Sequence, residues 1–468
     1  MASVPLLWAC GAILGLPSSV REETGDAQAD AGKGGDGRSV DAEPVLTHVG
    51  DYCLGYGFAC AIVGDAGSVA CWGSLCGDAG IQPRPEIVID AGAISLSCGL
   101  AHACALVKPS PSDTQELYCW GSNETEAVTG TDSNACFSTP QESPQQRPPL
   151  LKGAYPLHVA TGAGFTCAAY QYILNGHGNP VYCWGAQGGG VTTPPPALAA
   201  GDGDLSVKAM IAGFGHACVN VTGPDAGGIY CWGSDQDNCL GGPTEAGELF
   251  TPATEPVALL AAGNIITCYE PADGSIECVG KIGGGDFGTV ACGDGGLLGP
   301  SFVPFTPGFP IDGLGLGSGW FCALSGGTIQ CSGDNSSCQV GYHAEGPCLP
   351  LLDANTNIEM TFPPGATPPE AIRVSALATC FIGDADLDTP GYAPGYPERE
   401  ECVAGRSCSN HRDLKGFPWV SAFACARASS DRGEKMLYCW GSNSRGELGR
   451  GEGGEATPFP EPVTAIGP

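Results

Sequence analysis

Cysteine is the residue with the most chemistry to offer in this chain, which has 26 of them. A thiol can ligate a metal, attack an electrophile or oxidise to a disulfide, and spacing decides among these. Sixteen of the cysteines fall into eight pairs. The first member sits in a short apolar motif such as "FACA" (Cys60), "HACA" (Cys104) or "FTCA" (Cys167), and the second most often opens a Cys-Trp-Gly triplet such as Cys71-Trp72-Gly73. The pairs are Cys60–Cys71, Cys104–Cys119, Cys167–Cys183, Cys218–Cys231, Cys268–Cys278, Cys322–Cys331, Cys380–Cys402 and Cys425–Cys439. Separations range from 9 to 22 and no Cys-x-x-Cys occurs, so tight zinc knuckles do not fit. Loops of varying length between two facing strands do fit. Directly opposed residues of an antiparallel ladder bring their Cα atoms to roughly 4.5 Å, within bonding reach. We therefore read all eight as disulfides, each worth about 2–3 kcal/mol in the chain-entropy account.

Carboxylates and imidazoles are the other candidates. Asp384, Asp386 and Asp388 have the one-three-five spacing that surrounds a calcium ion, but Thr389 replaces the turn glycine and Gly395 the bidentate glutamate of the helix-loop-helix pattern. The first reading is an acidic exposed loop, with calcium as the alternative and no other cofactor. His102 and His216 stand two residues before a repeat cysteine, where other copies carry Phe58, Phe165, Ile266, Trp320, Ala378 or Phe423. A position that accepts phenylalanine is a packing position. No Ser-His-Asp or Cys-His arrangement emerges from the remaining histidines, so no catalytic residue is assigned.

The elements that must hold these residues repeat along the chain. Successive upstream cysteines are 44 to 63 residues apart, a period typical of repeat architectures. Within each unit, turn-formers such as "GDAGS" and "PADGS" separate short apolar or alternating stretches, which predicts antiparallel hairpins. With 74 Gly, 39 Pro and no helical periodicity, the chain is expected to be all-β. Five of the eight tryptophans follow a repeat cysteine, the pattern of core residues filling space between units. A formal charge of −31, from 50 acidic and 19 basic residues, repels phosphate backbones and anionic lipids, which excludes nucleic acid as a partner.

Dense disulfides require an oxidising compartment. Residues 1–20 are read as an export signal, in which "LLWAC" is similar to a lipoprotein lipobox and makes Cys10 a candidate for lipidation, with Trp8 departing from the usual small residue. Any membrane association runs through that lipid alone. Residues 21–43, rich in Gly, Asp and Ala, read as a disordered tether, and 44–468 as one domain. Ten further cysteines, among them Cys53, Cys76, Cys98 and Cys136, leave their pairing open. "NET" (123), "NVT" (220) and "NSS" (335) are glycan acceptors only in a eukaryotic secretory pathway.

The repeated aliphatic-x-x-Trp-Gly, followed by "SNSRGELGRG" and the proline-led "TPFPEPV", resembles the regulator of chromosome condensation repeat family, over about 420 residues. The resemblance implies a closed β-propeller of seven or eight four-stranded blades. In that reading the intra-blade disulfides are staples, and the C-terminal "EPVTAIG" completes the blade begun by "EPVLTHVG" (43–50). It also implies guanine-nucleotide exchange on a small GTPase and contact with chromatin, which acidity and disulfides both oppose. The expectation is a monomeric, non-enzymatic extracytoplasmic binding propeller, secreted or lipid-anchored, whose partner is a protein or a surface polymer. Exchange activity, or lyase or hydrolase chemistry around a central channel, are the alternatives.

Overall fold

The computed structural model describes residues from 45 to 465. It leaves outside the description 77–80, 132–134, 145–152, 173–177, 186–193, 234–258, 281–296, 299–310, 348–357, 376–421 and shorter turn segments. The protein is an all-β propeller. Sheet A holds strands Val49–Leu54, Phe58–Val63, Ser68–Ser74 and Ile81–Ile89; sheet B, Ala93–Cys98, His102–Val107, Glu116–Ser122 and Cys136–Glu142. Sheet C holds Ala154–Thr161, Phe165–Tyr172 and Val181–Gly185; sheet D, Ser206–Ala212, His216–Thr222 and Gly228–Gly233. Sheet E holds Leu260–Ala262, Ile266–Tyr269, Glu277–Gly280 and Leu297–Leu298; sheet F, Gly313–Leu316, Trp320–Ser325, Thr328–Gly333 and Ile358–Glu359. Sheet G holds Ala371–Val374, Phe423–Ser429, Lys435–Asn443 and Gly454–Pro462.

All pairings are antiparallel, and the first strand of each sheet packs against the first strand of the next. Contact runs from A through B, C, D, E and F to G, and from G back to A. The first strands therefore form the hub. Unlike the four-stranded expectation, sheets C and D show three strands among the described residues. The Cys380–Cys402 hairpin lies outside the described residues. It falls within 376–421, between Ala371–Val374 and Phe423–Ser429, which pair directly.

Two glycine positions explain how the sheets sit so close. In each of five sheets the glycine after Trp has a positive φ, for example 108° at Gly121, where a Cβ would lie 2.5 Å from Ala101 O. The chain turns there against its own hairpin partner, which only glycine tolerates. Around the hub, the turn between first and second strands begins with glycine in sheets A to F. A Cβ on Gly99 would lie 2.3 Å from Gly162 O, and one on Gly213 the same distance from Gly263 O. Backbone bonds link these turns, Tyr56 N–H to Leu100 O at 3.1 Å and Ala163 N–H to Phe214 O at 3.1 Å. The result is a collar on one face of the hub.

The C-terminal strand corrects the expected closure. Gly454–Pro462 completes sheet G, and Val463 N–H bonds back to Leu437 O at 2.9 Å. Sheet A is complete without it. The N-terminal residues instead reach across, with Leu46 N–H donating to Val463 O at 2.9 Å and bridges Val45–Thr464 and Thr47–Met436.

Candidate functional site

The chemistry-bearing side chains converge on the boundaries between sheets. The repeat cysteines lie opposite one another in register, and disulfides join Cys60–Cys71, Cys104–Cys119, Cys167–Cys183, Cys218–Cys231, Cys322–Cys331 and Cys425–Cys439. Their Cα atoms are 4.0–4.1 Å apart. Cys268 faces Cys278 in the same register. Non-reducing peptide mapping is expected to recover these links, and free thiols at them would overturn the assignment. Replacing Cys167 and Cys183 by alanine opens a link spanning 16 residues. In thermal or urea melts it is expected to cost about 3 kcal/mol while leaving a folded monomer.

The residue two before the repeat cysteine packs against the residue one before the cysteine of the following sheet. Phe58 shares a core with Ala103, Phe165 with Ala217, Trp320 with Ala424 and Phe423 with Ala59. At the two histidine positions the partner is threonine. His102 Nε2 lies 2.9 Å from Thr166 Oγ1, and His216 Nε2 lies 3.0 Å from Thr267 Oγ1. Thr166 already donates to Ala127 O at 2.7 Å, so the His102 Nε2–H is the donor to Thr166. Both imidazoles are buried, and burial pushes each pKa down to about 4. They are neutral struts between sheets. His158 similarly meets Val207 O of sheet D at 3.1 Å, with its pKa lowered by burial.

The tryptophans make a second link. Trp72, Trp184 and Trp440 donate Nε1–H to Glu447 O, Ala127 O and Gln339 O of the preceding sheet's loop, at 2.8, 3.0 and 2.9 Å. Each acceptor lies seven residues beyond the Trp position of its own repeat. In two of these loops an asparagine three residues after Trp shapes the turn. Asn123 Oδ1 accepts from the Val128 and Thr129 amides, and Asn443 Oδ1 from Leu448. Asn123 is buried and its Nδ2 donates to Thr131 O, so the "NET" sequon is closed to a glycan in the folded chain. Asn220 of "NVT" is buried as well.

The seam between sheets G and A carries several side-chain links. Tyr52 hydroxyl donates to Cys425 O at 3.0 Å, and its burial raises the phenol pKa beyond the usual range. Arg427 donates to Gly50 O, Arg373 reaches Asp51 at 3.9 Å, and Arg445 stacks over Tyr56 at 4.8 Å.

Among the described residues two disulfides join neighbouring sheets, and their pairing was not readable from the sequence. Cys53–Cys98 links the first strands of A and B, and Cys76–Cys136 links the loop after the third strand of A to the fourth strand of B. Asp384, Asp386, Asp388, Cys10, Cys380 and Cys402 lie outside the described residues. Among the described residues no group of three or more metal-ligating side chains occurs.

No family model matches the chain. Among solved structures, it is similar to Prp20p from Saccharomyces cerevisiae, described with its binding properties to Gsp1p and histones. That match has 16% identity and a TM-score of 0.56, covering 85% of this chain and 86% of that one. It is similar to human WBSCR16 at 16% identity and TM-score 0.53, covering 84% and 89%. It also matches a structure of Kap60 bound to yeast RCC1 (Prp20) at 15% identity and TM-score 0.57, covering 96% and 91%. At these identities the likeness shows the propeller fold.

Proposed function

We propose that this protein is a non-enzymatic, extracytoplasmic binding propeller, monomeric, that contacts a protein or a surface polymer. The observation that carries the reading is where the reactive side chains lie. His102 and His216 are sealed between sheets and the repeat cysteines are oxidised in the sheet interiors. The loops and sheet ends are then the surface offered to a partner. The oxidised cysteines favour export, either by secretion or with a lipid at Cys10. Fold alone does not transfer an activity, but Prp20p, whose fold this chain shares, is described as binding Gsp1p and histones. Protein binding is the part of that description that suits an acidic, disulfide-rich chain.

The test immobilises the oxidised protein and passes a cell-surface extract over it, with the reduced and alkylated chain as control. Saturable retention of one defined component, competed by soluble oxidised protein, supports the reading. Turnover in a lyase or hydrolase panel, or accelerated nucleotide release from a small GTPase, would replace it with one of the alternatives.

A further inference from the structure

The intra-sheet and inter-sheet disulfides differ in where they lie. Cys60, Cys104, Cys119, Cys167, Cys218, Cys425 and Cys439 are 0% exposed, enclosed between packed sheets. By contrast Cys136 is exposed, Cys76 and Cys98 are half-buried, and only Cys53, at 7%, is buried. Among the described residues both of these accessible bonds cross the same boundary, between sheets A and B. Both also lie on the collar face. Cys53 and Cys98 end the first strands just before the collar turns, and Cys76 and Cys136 flank the loops that leave and enter on that side.

The opposite end of the same boundary is held by backbone. Gly92 N–H donates to Ala66 O at 2.8 Å and Ala93 N–H to Gly67 O at 2.9 Å. Among the described residues Trp120 Nε1–H, fully buried, finds no acceptor across this boundary. The A–B boundary thus has covalent fastenings on one face and a backbone hinge on the other.

We propose that Cys53–Cys98 and Cys76–Cys136 form a reducible clasp that lets sheets A and B part on the collar face while every blade stays folded. The reductant is an external dithiol. One of its thiolates attacks a clasp sulfur, giving a mixed disulfide and a free cysteine thiolate. Its second thiol then displaces the other cysteine, so two electrons pass from the dithiol, which leaves as a disulfide, to the pair of cysteines. Attack depends on access, and access separates the clasp from the buried staples.

The experiment treats the intact protein with graded dithiothreitol, quenches with an alkylating agent and locates the labels by mass spectrometry. Labels at Cys53, Cys76, Cys98 and Cys136 are expected to accumulate at least about tenfold faster than at Cys104, Cys119, Cys425 and Cys439. In the clasp-reduced form, hydrogen exchange at the Tyr56 amide, which bonds across the boundary, is expected to rise by about the same factor, while Gly92 and Ala93 keep their protection. Equal rates at all sites, labelling of the clasp only with global unfolding, or unchanged exchange at Tyr56 would each overturn the proposal. The Cys76→Ser, Cys136→Ser double variant offers a second reading, since its Tyr56 amide should already exchange faster without reductant.

Discussion

A chain truncated after Gly449 is expected to lose its monomeric state altogether, by aggregating or failing to accumulate. The cut removes Gly454–Pro462 and, with it, that strand's pairings along the outer edge of Lys435–Asn443, leaving there only the Thr47–Met436 bridge among the described residues. It also removes Val463, which is fully buried and accepts from Leu46, and Thr464, which pairs with Val45. Leu46, now 4% exposed, loses its cover. A blade stripped of its fourth strand presents an unpaired edge, and the seam that joins the two chain ends is lost in the same step. Size-exclusion chromatography and a thermal melt decide the matter. A truncated chain that stays monomeric with an unchanged Tm would show that the seam does not hold the ring. The contrast is with the Cys167, Cys183 double variant, whose lesion stays inside one sheet.

Acid should destabilise the protein chiefly through His102 and His216, with His158, whose pKa burial also lowers, acting in the same direction. His102 and His216 bind a proton at the ordinary value of about 6.5 when unfolded but only near 4 when folded. The unfolded chain therefore holds more protons between those limits, and stability falls as pH drops through that window. Above about 6.5 the contribution is complete. Each histidine accounts for about 3 kcal/mol across the window, so the two together rival the whole stability of many domains. Exchanging each His–Thr pair for the Phe–Ala pair used at other boundaries should flatten the dependence. That variant carries His102→Phe with Thr166→Ala and His216→Phe with Thr267→Ala. Urea midpoints at pH 7, 6, 5 and 4 test it, and an identical decline in both proteins would refute the role given to the histidines.

The sequence reveals the sheets more readily than the boundaries between them. A cysteine facing a cysteine, a turn between them and a tryptophan just after are all local, so hairpins, intra-sheet bridges and buried tryptophans can be read from a single unit. A boundary joins two units, and each half is unremarkable alone. His102 looks like a substitute for phenylalanine until Thr166, 64 residues on, is set against it. The signal was present, because Thr166 and Thr267 precede the repeat cysteine in the two units that follow a histidine. Cys53 and Cys98 occupy similar phases of adjacent units, but ten unpaired cysteines allow too many connectivities for phase alone to choose. The matching "EPV" at residues 43–45 and 461–463 invited the misreading of the closure. They look like parts of one blade, whereas residues 45 and 46 bond to 464 and 463 across the seam.

The boundary pairs give the order of the units a syntax. A unit carrying histidine two before its cysteine requires a successor carrying threonine one before its own, and a phenylalanine unit takes an alanine successor. Tandem duplication of sheet B or loss of sheet C therefore places a histidine donor against a methyl group, and duplication of sheet C or loss of sheet B places a threonine hydroxyl against a phenyl ring. Units are not interchangeable modules. Recombination within such a gene preserves the ring only when crossovers fall between units of the same pairing type. A library of shuffled repeats built from this chain should be recoverable only in the compatible orders.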